Sequence, residues 1–336
     1  MRKVCIVFFV VVSALVTVFA ANRVAFSEGG NKDRIQVPFG PQLYLYNFYG
    51  IAAISDDHVC AVGNNGTICL SEDGGKAWTV LDSGVEMELY DVGFAGPRTG
   101  WIVGRDGTIL RSVDGGKSWS KLESGVDISL LSLSVVDESH IWAVGEWGTI
   151  LHSEDGKTWG RQFEEVDRLY QKVFFVDETH GWVVGEFGTI IHTEDGGKTW
   201  NDQKSPLGEK SIFSLFFKNR QEGWAVAMDG DILRTVDGGA TWLEIKSPTN
   251  KTLFDIKVIG KHGFAFGLEG TFVSSEDGGK TWAKREGALG TLSWVVASSF
   301  IGNQRGYVAG GNGTLLYTLN GGRNWSLPSV LDLPRP

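Results

Sequence analysis

The sequence predicts an all-β protein: a seven-bladed β-propeller with four-stranded antiparallel blades and an Asp box in each. Two observations lead to this fold class. A phrase close to Ser/Thr-x-Asp-Gly-Gly-x-x-Trp, here called the Asp box, recurs seven times at intervals of 40 to 43 residues. Short β-branched and aromatic runs separated by Gly, Asp and Asn clusters fill each interval, which is typical of strands joined by tight turns. One such sheet cannot bury both of its faces alone, whereas seven sheets around an axis cover one another.

Each repeat divides into four predicted strands. The first is a run such as LYDVGF at residues 89–94. The second and third flank the turn in phrases such as VVGEFGTIIHT at residues 183–193, and the fourth follows the tryptophan of the box, as in WTVLDS at residues 78–83. Residues 45–336 are therefore assigned to the propeller.

The Asp boxes are predicted to be structural. An aspartate in a tight turn accepts hydrogen bonds from nearby backbone N–H groups, the glycines permit positive φ, and the tryptophan packs on the blade. The acidic or amide residues are Asp73, Asp114, Asp155, Asp195, Asp237, Asp277 and Asn320, and the tryptophans are Trp78, Trp119, Trp159, Trp200, Trp242, Trp282 and Trp325. Asparagine in the last copy can accept most of the same bonds, whereas a site that needs a charge would not tolerate it.

The N-terminus predicts export. Arg2 and Lys3 precede an apolar run at residues 4–21, so residues 1–21 form a signal peptide or an N-terminal membrane anchor. The expected location is the periplasm, the thylakoid lumen or the extracellular space, with a membrane tether if the segment is retained. Residues 22–44 form an N-terminal segment. Because Pro328 weakens the last predicted strand, this segment is the candidate for a ring-closing strand beside the seventh blade.

Composition and motifs exclude several function classes. The net charge of −9 argues against nucleic-acid binding, which needs a dominant basic face. The sequence contains no phosphate-binding loop, zinc spacing or nucleophile elbow, so no cofactor, metal or catalytic residue is expected. His152 and His192 occupy equivalent repeat positions. A metal site is one interpretation, and side chains that cover the edge of a blade are the favoured one.

The boxes and the phrase VGEFGTIIHTEDGGKTW at residues 184–200 carry a resemblance. The box is the Asp box or BNR repeat of sialidases and many other propellers. With seven copies over residues 45 to 326, the chain resembles the family of photosystem II stability and assembly factors. That resemblance implies a seven-bladed propeller acting as a non-catalytic scaffold or assembly factor for a membrane or envelope protein complex, monomeric on its own. Photosystem subunits would be its partners only in a photosynthetic host.

The alternative function is a secreted, sialidase-like glycosidase or a carbohydrate-binding propeller. The first strands place Asp91 and Asp255 at one equivalent, channel-facing position, and glycoside hydrolysis uses two carboxylates. The other residues at this position are Gly50, Ser132, Lys172, Ser214 and Ala297. The arginine cluster that a sialidase needs is absent from this ring.

The candidate binding residues lie in the turn between the second and third strands. Four successive repeats carry apolar residues there, here called the apolar arc: Trp147, Phe187, Met228 and Leu268. They alternate with the acids Glu146, Glu186, Asp229 and Glu269. Apolar residues ringed by charge are typical of a protein-binding surface, predicted here on the face opposite the boxes. In the alternative interpretation, each side chain folds onto a neighbouring loop.

Cys60 and Cys69 lie on the second and third strands of the first repeat. If residues 63–66 close a two-residue hairpin, the two cysteines face each other and can form a cross-strand disulfide. If Gly66 forms a bulge instead, the register shifts by one residue and the thiols remain free in the core.

Overall fold

Seven β-sheets form a ring in the computed structural model, which describes residues 34–38, 45–162 and 166–334. The first strand of each sheet contacts the first strands of its two neighbours, and the first strand of blade 7 contacts that of blade 1. The predicted all-β, seven-bladed propeller is therefore confirmed. In these described stretches no helix has the length and apolar character needed to cross a membrane. The predicted signal or anchor at residues 1–21 lies outside them.

The strands are numbered β1–β29 along the chain. The first strands of blades 1 to 7 are β2 (Phe48–Ala53), β6 (Leu89–Ala95), β10 (Leu130–Val135), β14 (Tyr170–Phe175), β18 (Ile212–Phe217), β22 (Leu253–Ile259) and β26 (Val295–Ile301). The second strands are β3 (Val59–Gly63), β7 (Thr99–Gly104), β11 (Ile141–Gly145), β15 (Gly181–Gly185), β19 (Gly223–Ala227), β23 (His262–Gly267) and β27 (Arg305–Gly310). The third strands are β4 (Ile68–Ser71), β8 (Ile109–Ser112), β12 (Ile150–Ser153), β16 (Ile190–Thr193), β20 (Ile232–Thr235), β24 (Phe272–Ser275) and β28 (Leu315–Thr318).

Six blades have a fourth, outer strand. These strands are β5 (Ala77–Leu81), β9 (Ser120–Leu122), β13 (Gly160–Arg161), β17 (Asn201–Asp202), β21 (Leu243–Ile245) and β25 (Ala283–Lys284). Two further strands are β1 (Arg34–Pro38) and β29 (Val330–Pro334), and single 3₁₀ turns occupy Glu146–Gly148, Met228–Gly230 and Leu268–Gly270.

Blades 1 and 7 depart from the four-stranded plan. Blade 7 has three strands, and an isolated bridge between Tyr317 and Ser326 stands in place of a fourth. The chain then continues to blade 1, where β29 pairs in parallel with β5 and β1 pairs with β29. This corrects the expectation for the N-terminal segment, because its strand lies at the outer edge of blade 1 rather than beside blade 7. The physical reason is that β1 pairs with β29, and β29 lies on blade 1 because its Leu331 is buried against Trp78.

The cores lie between the blades. Each interface buries large residues of the second and third strands, and the second-strand tryptophans of blades 2 to 5 are fully buried. Each of these indoles donates its N–H to a box-glycine carbonyl of the following blade, in the pairs Trp101–Gly156, Trp142–Gly196, Trp182–Gly238 and Trp224–Gly279. The box turn of one blade therefore also caps the core of its neighbour.

The two cysteines do not form the cross-strand disulfide that a simple hairpin would allow, because both are free and buried. Gly66 adopts a left-handed φ of 65° and lengthens the turn to three residues. The register therefore pairs Cys60 with Leu70 and Cys69 with Ala61. Since successive residues of a strand point to opposite faces, the thiols enter different interblade cores. Burial raises the pKa of both.

Candidate protein-binding face

The turns between the second and third strands share one backbone conformation. The second residue of every turn has a left-handed φ between 52° and 57°. Blades 1, 2, 5 and 7 place Asn or Asp there, the side chains that best tolerate this conformation after glycine. Blades 3 and 4 place Trp147 and Phe187 there. For bulky residues this conformation is an outlier, and such outliers cluster at functional sites.

The apolar arc is largely exposed. Trp147, Phe187 and Met228 expose between 40% and 55% of their surface, and Leu268 is half-buried. The turns that carry them start the third strands and the Asp boxes end those strands, so the two sets of turns lie on opposite faces of the ring. The face with the arc is called the turn face below, and the other the box face. Binding of a partner by the arc stays a prediction.

The acids of the turns in blades 5 and 6 are paired with lysines. The Nζ of Lys210 lies 3.3 Å from a carboxylate oxygen of Asp229, and the Nζ of Lys251 lies 2.7 Å from Glu269. These pairs are solvent-exposed, so each contributes little to stability. Lys210 also lies 2.6 Å from Asp231 and is shared by two carboxylates, so the acidic charge of blade 5 is only partly neutralised.

The acids of blades 3 and 4 are placed differently. Glu146 accepts a hydrogen bond from the backbone N–H of Ser129 at 3.2 Å, which holds its carboxylate against the adjoining connection. Glu186 is half-buried, and burial together with the charge of Asp167 raises its pKa. Negative charge beside Trp147 and Phe187 is thus only partly compensated.

The connections from each fourth strand to the next first strand lie on the same face. The glycine that ends a turn donates its N–H to a connection carbonyl, as from Gly66 to Met87 at 2.9 Å and from Gly148 to Arg168 at 2.7 Å. These contacts place further exposed apolar residues on the turn face, which sequence reasoning missed: Leu45, Met87 and Leu292. Leu292 is 87% exposed. The connections differ in length between repeats, so no repeat alignment could have placed them.

A groove of about 480 Å³ opens beneath Trp147 on the side of blade 3 that faces blade 2. One wall is the connection at residues 124–128, and the other is formed by Leu151, Trp159 and Arg161. The groove is half open to solvent and combines apolar side chains with the charged groups of Asp127 and Arg161. The arc therefore continues into a concave surface between two blades.

The carboxylates of the Asp boxes are engaged inside their own turns. In blade 4, Asp195 accepts bonds from the hydroxyl of Thr193 at 2.8 Å and from the backbone N–H of Thr199 at 2.9 Å. The hydroxyl of Thr199 bonds to its other oxygen at 2.7 Å. In blade 7 the amide oxygen of Asn320 accepts the corresponding bonds from the Thr318 hydroxyl and the Asn324 N–H, both at 3.0 Å.

The two channel-facing aspartates are both paired. Lys172 of blade 4 reaches Asp91 of blade 2 with 2.8 Å between nitrogen and oxygen. Asp255 is buried, lies 2.8 Å from the Nζ of Lys257 and accepts the N–H of Ser298 at 2.8 Å. Burial raises the pKa of Asp255, but the charges of Lys257 and Lys172 outweigh it and hold that pKa below its usual value. The contacts of Asp91 with Lys172 and of Asp255 with Ser298 link different blades near the axis of the ring.

The equivalent histidines stack on core tryptophans. The ring of His152 lies 4.5 Å from that of Trp142, and the ring of His192 lies 4.6 Å from that of Trp182. Burial lowers the pKa of both imidazoles. Within the described residues no three His, Cys, Asp or Glu side chains are grouped as metal ligands.

Three stretches of the chain match the model of a protein family described as Photosynthesis system II assembly factor YCF48. They cover residues 76–169, 157–249 and 241–333, and so run without a gap over more than half of the chain. No curated protein matches it.

The solved structures of similar fold include two of that name. YCF48 bound to D1 peptide is 20% identical, with 90% of this chain and 100% of that chain covered and a TM-score of 0.72. YCF48 from Cyanidioschyzon merolae is also 20% identical, with coverages of 85% and 98% and a TM-score of 0.70. The GH74 xyloglucanase from Xanthomonas campestris is 14% identical, with coverages of 86% and 54% and a TM-score of 0.69. Likeness at these identities shows the fold alone.

Proposed function

Because the chain belongs to the family of the Photosynthesis system II assembly factor YCF48, we propose that it is a scaffold that binds a segment of a membrane or envelope protein complex through its turn face. The similar structure named YCF48 bound to D1 peptide supports a polypeptide segment as the kind of partner. In a photosynthetic host the partner is a photosystem subunit.

The observation that carries this proposal is the pair of exposed aromatic residues, Trp147 and Phe187, held at left-handed φ. The left-handed conformation costs an L-residue about 1–2 kcal/mol, and asparagine at these positions would relieve part of that strain. Leaving large rings in water also forgoes the stabilisation of burial. Both costs are offset when a partner covers the rings, and exposed aromatic residues beside charged groups are typical binding hot spots.

We propose further that the chain is not a hydrolase. A glycosidase acid needs a raised pKa and an accessible carboxyl group. The lowered pKa and burial of Asp255, and the 2.8 Å contact between Asp91 and Lys172, support a structural role for both. The glycosidase alternative predicts release of sugar from a glycan panel, lost in Asp91→Asn or Asp255→Asn.

Export is part of the same proposal. The basic residues Arg2 and Lys3 and the apolar run at residues 4–21 support delivery to the periplasm, the thylakoid lumen or the extracellular space. A monomeric propeller presents its whole turn face to a partner. Cell fractionation and the mass of the mature N-terminus test location and cleavage, and a protein found whole in the cytoplasm would contradict export.

Pull-down from solubilised membranes tests the binding face. We expect the double variant Trp147→Asp with Phe187→Asp to recover at least about tenfold less partner than wild type, since two anchors of a binding hot spot are lost. The matched control is Val113→Asp with Val236→Asp, which changes two exposed apolar residues on the box face. Equal recovery by wild type and the turn-face variant would remove the apolar arc from the binding surface.

A further inference from the structure

Blade 1 shows how an added strand occupies the outer edge of a blade in this ring. Strand β29 pairs in parallel with β5 and sets Leu331 opposite the box tryptophan Trp78. Leu331 is fully buried and packs in one cluster with Trp78 and Cys69, with Val80 at its edge. The apolar surface beside a box tryptophan can thus accommodate a leucine side chain from an added extended strand, and this position is called the seat below.

Blade 3 has the same seat without such a strand in the described part of the chain. Trp159 corresponds to Trp78, and Leu151 opposite Arg161 corresponds to Cys69 opposite Val80. In place of a buried leucine, the groove of about 480 Å³ opens there, lined by Leu151, Trp159 and Arg161. The two blades therefore differ in what fills one equivalent position.

The outer edge of blade 3 differs from that of blade 1. Strand β13 is the outermost strand of blade 3, and in the described part of the chain no further strand pairs with it. The outermost strand of a sheet is the place where a strand of another chain can add. The indole N–H of Trp159 is buried and meets no acceptor among the described residues, as is also the case for Trp200 and Trp325.

We propose that an extended segment of a partner polypeptide adds as a strand to the outer edge of blade 3 along β13 and places a leucine-sized apolar side chain in the groove. Strand addition draws its affinity from main-chain hydrogen bonds and its specificity from pockets for alternate side chains. The inference rests on the proposed function only in that the partner is a polypeptide. Trp147 lines the groove, so the segment runs from the groove onto the apolar arc.

Peptide titration against the full chain tests this inference. The probe is a fluorescent peptide with the sequence of residues 329–334, SVLDLP, and the comparison peptide replaces its first leucine by aspartate. In the chain this position of blade 1 is filled by its own β29, so an added peptide binds at another blade, and the variants below identify which one. We expect anisotropy to show saturable binding of the first peptide and at least about tenfold weaker binding of the second, since one buried leucine is lost.

Two matched variants place the binding at blade 3. Val126 lines the groove, and Val126→Trp fills it, so peptide binding should fall about tenfold or more. The control is Val85→Trp in the preceding blade. Ser83 and Ser124 donate equivalent hydroxyl bonds to the carbonyls of Val85 and Val126, so the two loops share one conformation. The control should bind the peptide as wild type does.

Equal affinity of the two peptides, or an equal loss in both tryptophan variants, overturns the proposal. Hydrogen exchange of the peptide-saturated chain gives a second readout, in which the amides of residues 159–162 should exchange more slowly. Slowing confined to residues 77–81 means that the peptide replaces β29 in blade 1, and it overturns the proposal as well. Phe187 is not among the residues that line the groove, so recovery of membrane partner by Phe187→Asp tests the scaffold function independently.

Discussion

The two sets of turns at opposite ends of the third strands use the same repeat in opposite ways. In the box turns, the oxygen atoms of residues such as Asp195 are engaged by neighbouring hydroxyl and N–H groups of the same turn. In the turns at the other end, the side chain at the left-handed position changes from asparagine to tryptophan between blades while φ stays near 55°. A turn whose polar groups are hydrogen-bonded within the turn stabilises the fold, whereas a turn with exposed apolar side chains is available to bind a partner.

The largest difference in the free energy of unfolding is expected between substitutions of two tryptophans of blade 3. Trp142 is fully buried between Phe175, at 3.6 Å between ring centroids, and His152. We expect Trp142→Ala to lower the free energy of unfolding by about 3–5 kcal/mol. Trp147→Ala, in the exposed turn of the same blade, should change it by less than about 0.5 kcal/mol. Urea denaturation followed by circular dichroism measures both values. Comparable losses of stability in the two variants would contradict the distinction between a core tryptophan and an exposed, partner-binding one.

A medium effect should appear in the box turns. Asp195→Ala removes the acceptor for Thr193 and Thr199, and we expect a loss of about 1–3 kcal/mol in the free energy of unfolding. The matched control is Glu194→Ala at the preceding, exposed position, with an expected change within about 0.5 kcal/mol. Thermal denaturation of the pair is sufficient. A control as unstable as the Asp195 variant would show that turn bonding is not the cause.

A smaller effect of the opposite sign is expected at the turn face. Trp147→Asn relieves left-handed strain, so the free energy of unfolding should rise by about 0.5–1 kcal/mol while partner recovery falls. Asn65→Gln in blade 1 is the reverse control, because it replaces a tolerant residue by a less tolerant one and should destabilise. A Trp147→Asn variant that loses stability would mean that the indole contributes to the fold.

The smallest expected effect is a pH dependence of the free energy of unfolding. It arises from Asp155 and Glu186, and it is small because one carboxylate is fully exposed and the other partly exposed. Backbone N–H bonds from Thr158 and Lys157 lower the pKa of Asp155 to about 2, so its contribution is present above its ordinary pKa of 3.8 and is lost as pH falls toward 2. Glu186, with a raised pKa, behaves oppositely and destabilises the fold once ionised.

The contributions of Asp155 and Glu186 are compared by measuring unfolding midpoints of their variants at a series of pH values. Asp155→Asn should flatten the acid limb of the stability profile, and Glu186→Gln should gain stability relative to wild type as pH rises above the ordinary glutamate range. The same sign of change in both variants would contradict the contrast between the two faces.

The number of blades and the positions of the arc could be predicted because the repeat carries both. The spacing of the boxes counts the sheets, and aligning the phrases before them places Trp147 and Phe187 at one turn position. The left-handed φ could be anticipated from Asn65 and Asp106 in the equivalent turns, yet the three-residue loop that separates Cys60 from Cys69 could not. A two-residue and a three-residue turn have the same glycine-rich composition.

What escaped prediction depends on contacts without local signals. Leu292 lies in a connection whose length differs from those of other blades, so it has no repeat equivalent. Strand β29 reaches blade 1 because Leu331 fits beside Trp78, a contact between residues that are far apart in the sequence. The groove at blade 3 is formed by side chains from the connection at residues 124–128 and from blade 3, which only the packed structure brings together.

The pairing of β1 with β29 has a consequence for synthesis. Arg34 faces Pro334 and Pro38 faces Val330, so the outermost strand finds its partner only after residues 330–334 have left the ribosome. The inner blades complete their own hydrogen bonding as each emerges, whereas contacts of such long sequence separation form late and carry a high loop-closure cost. During translation the rim of blade 1 stays bare, and a nascent chain stalled before residue 330 would be the form most exposed to unwanted edge pairing.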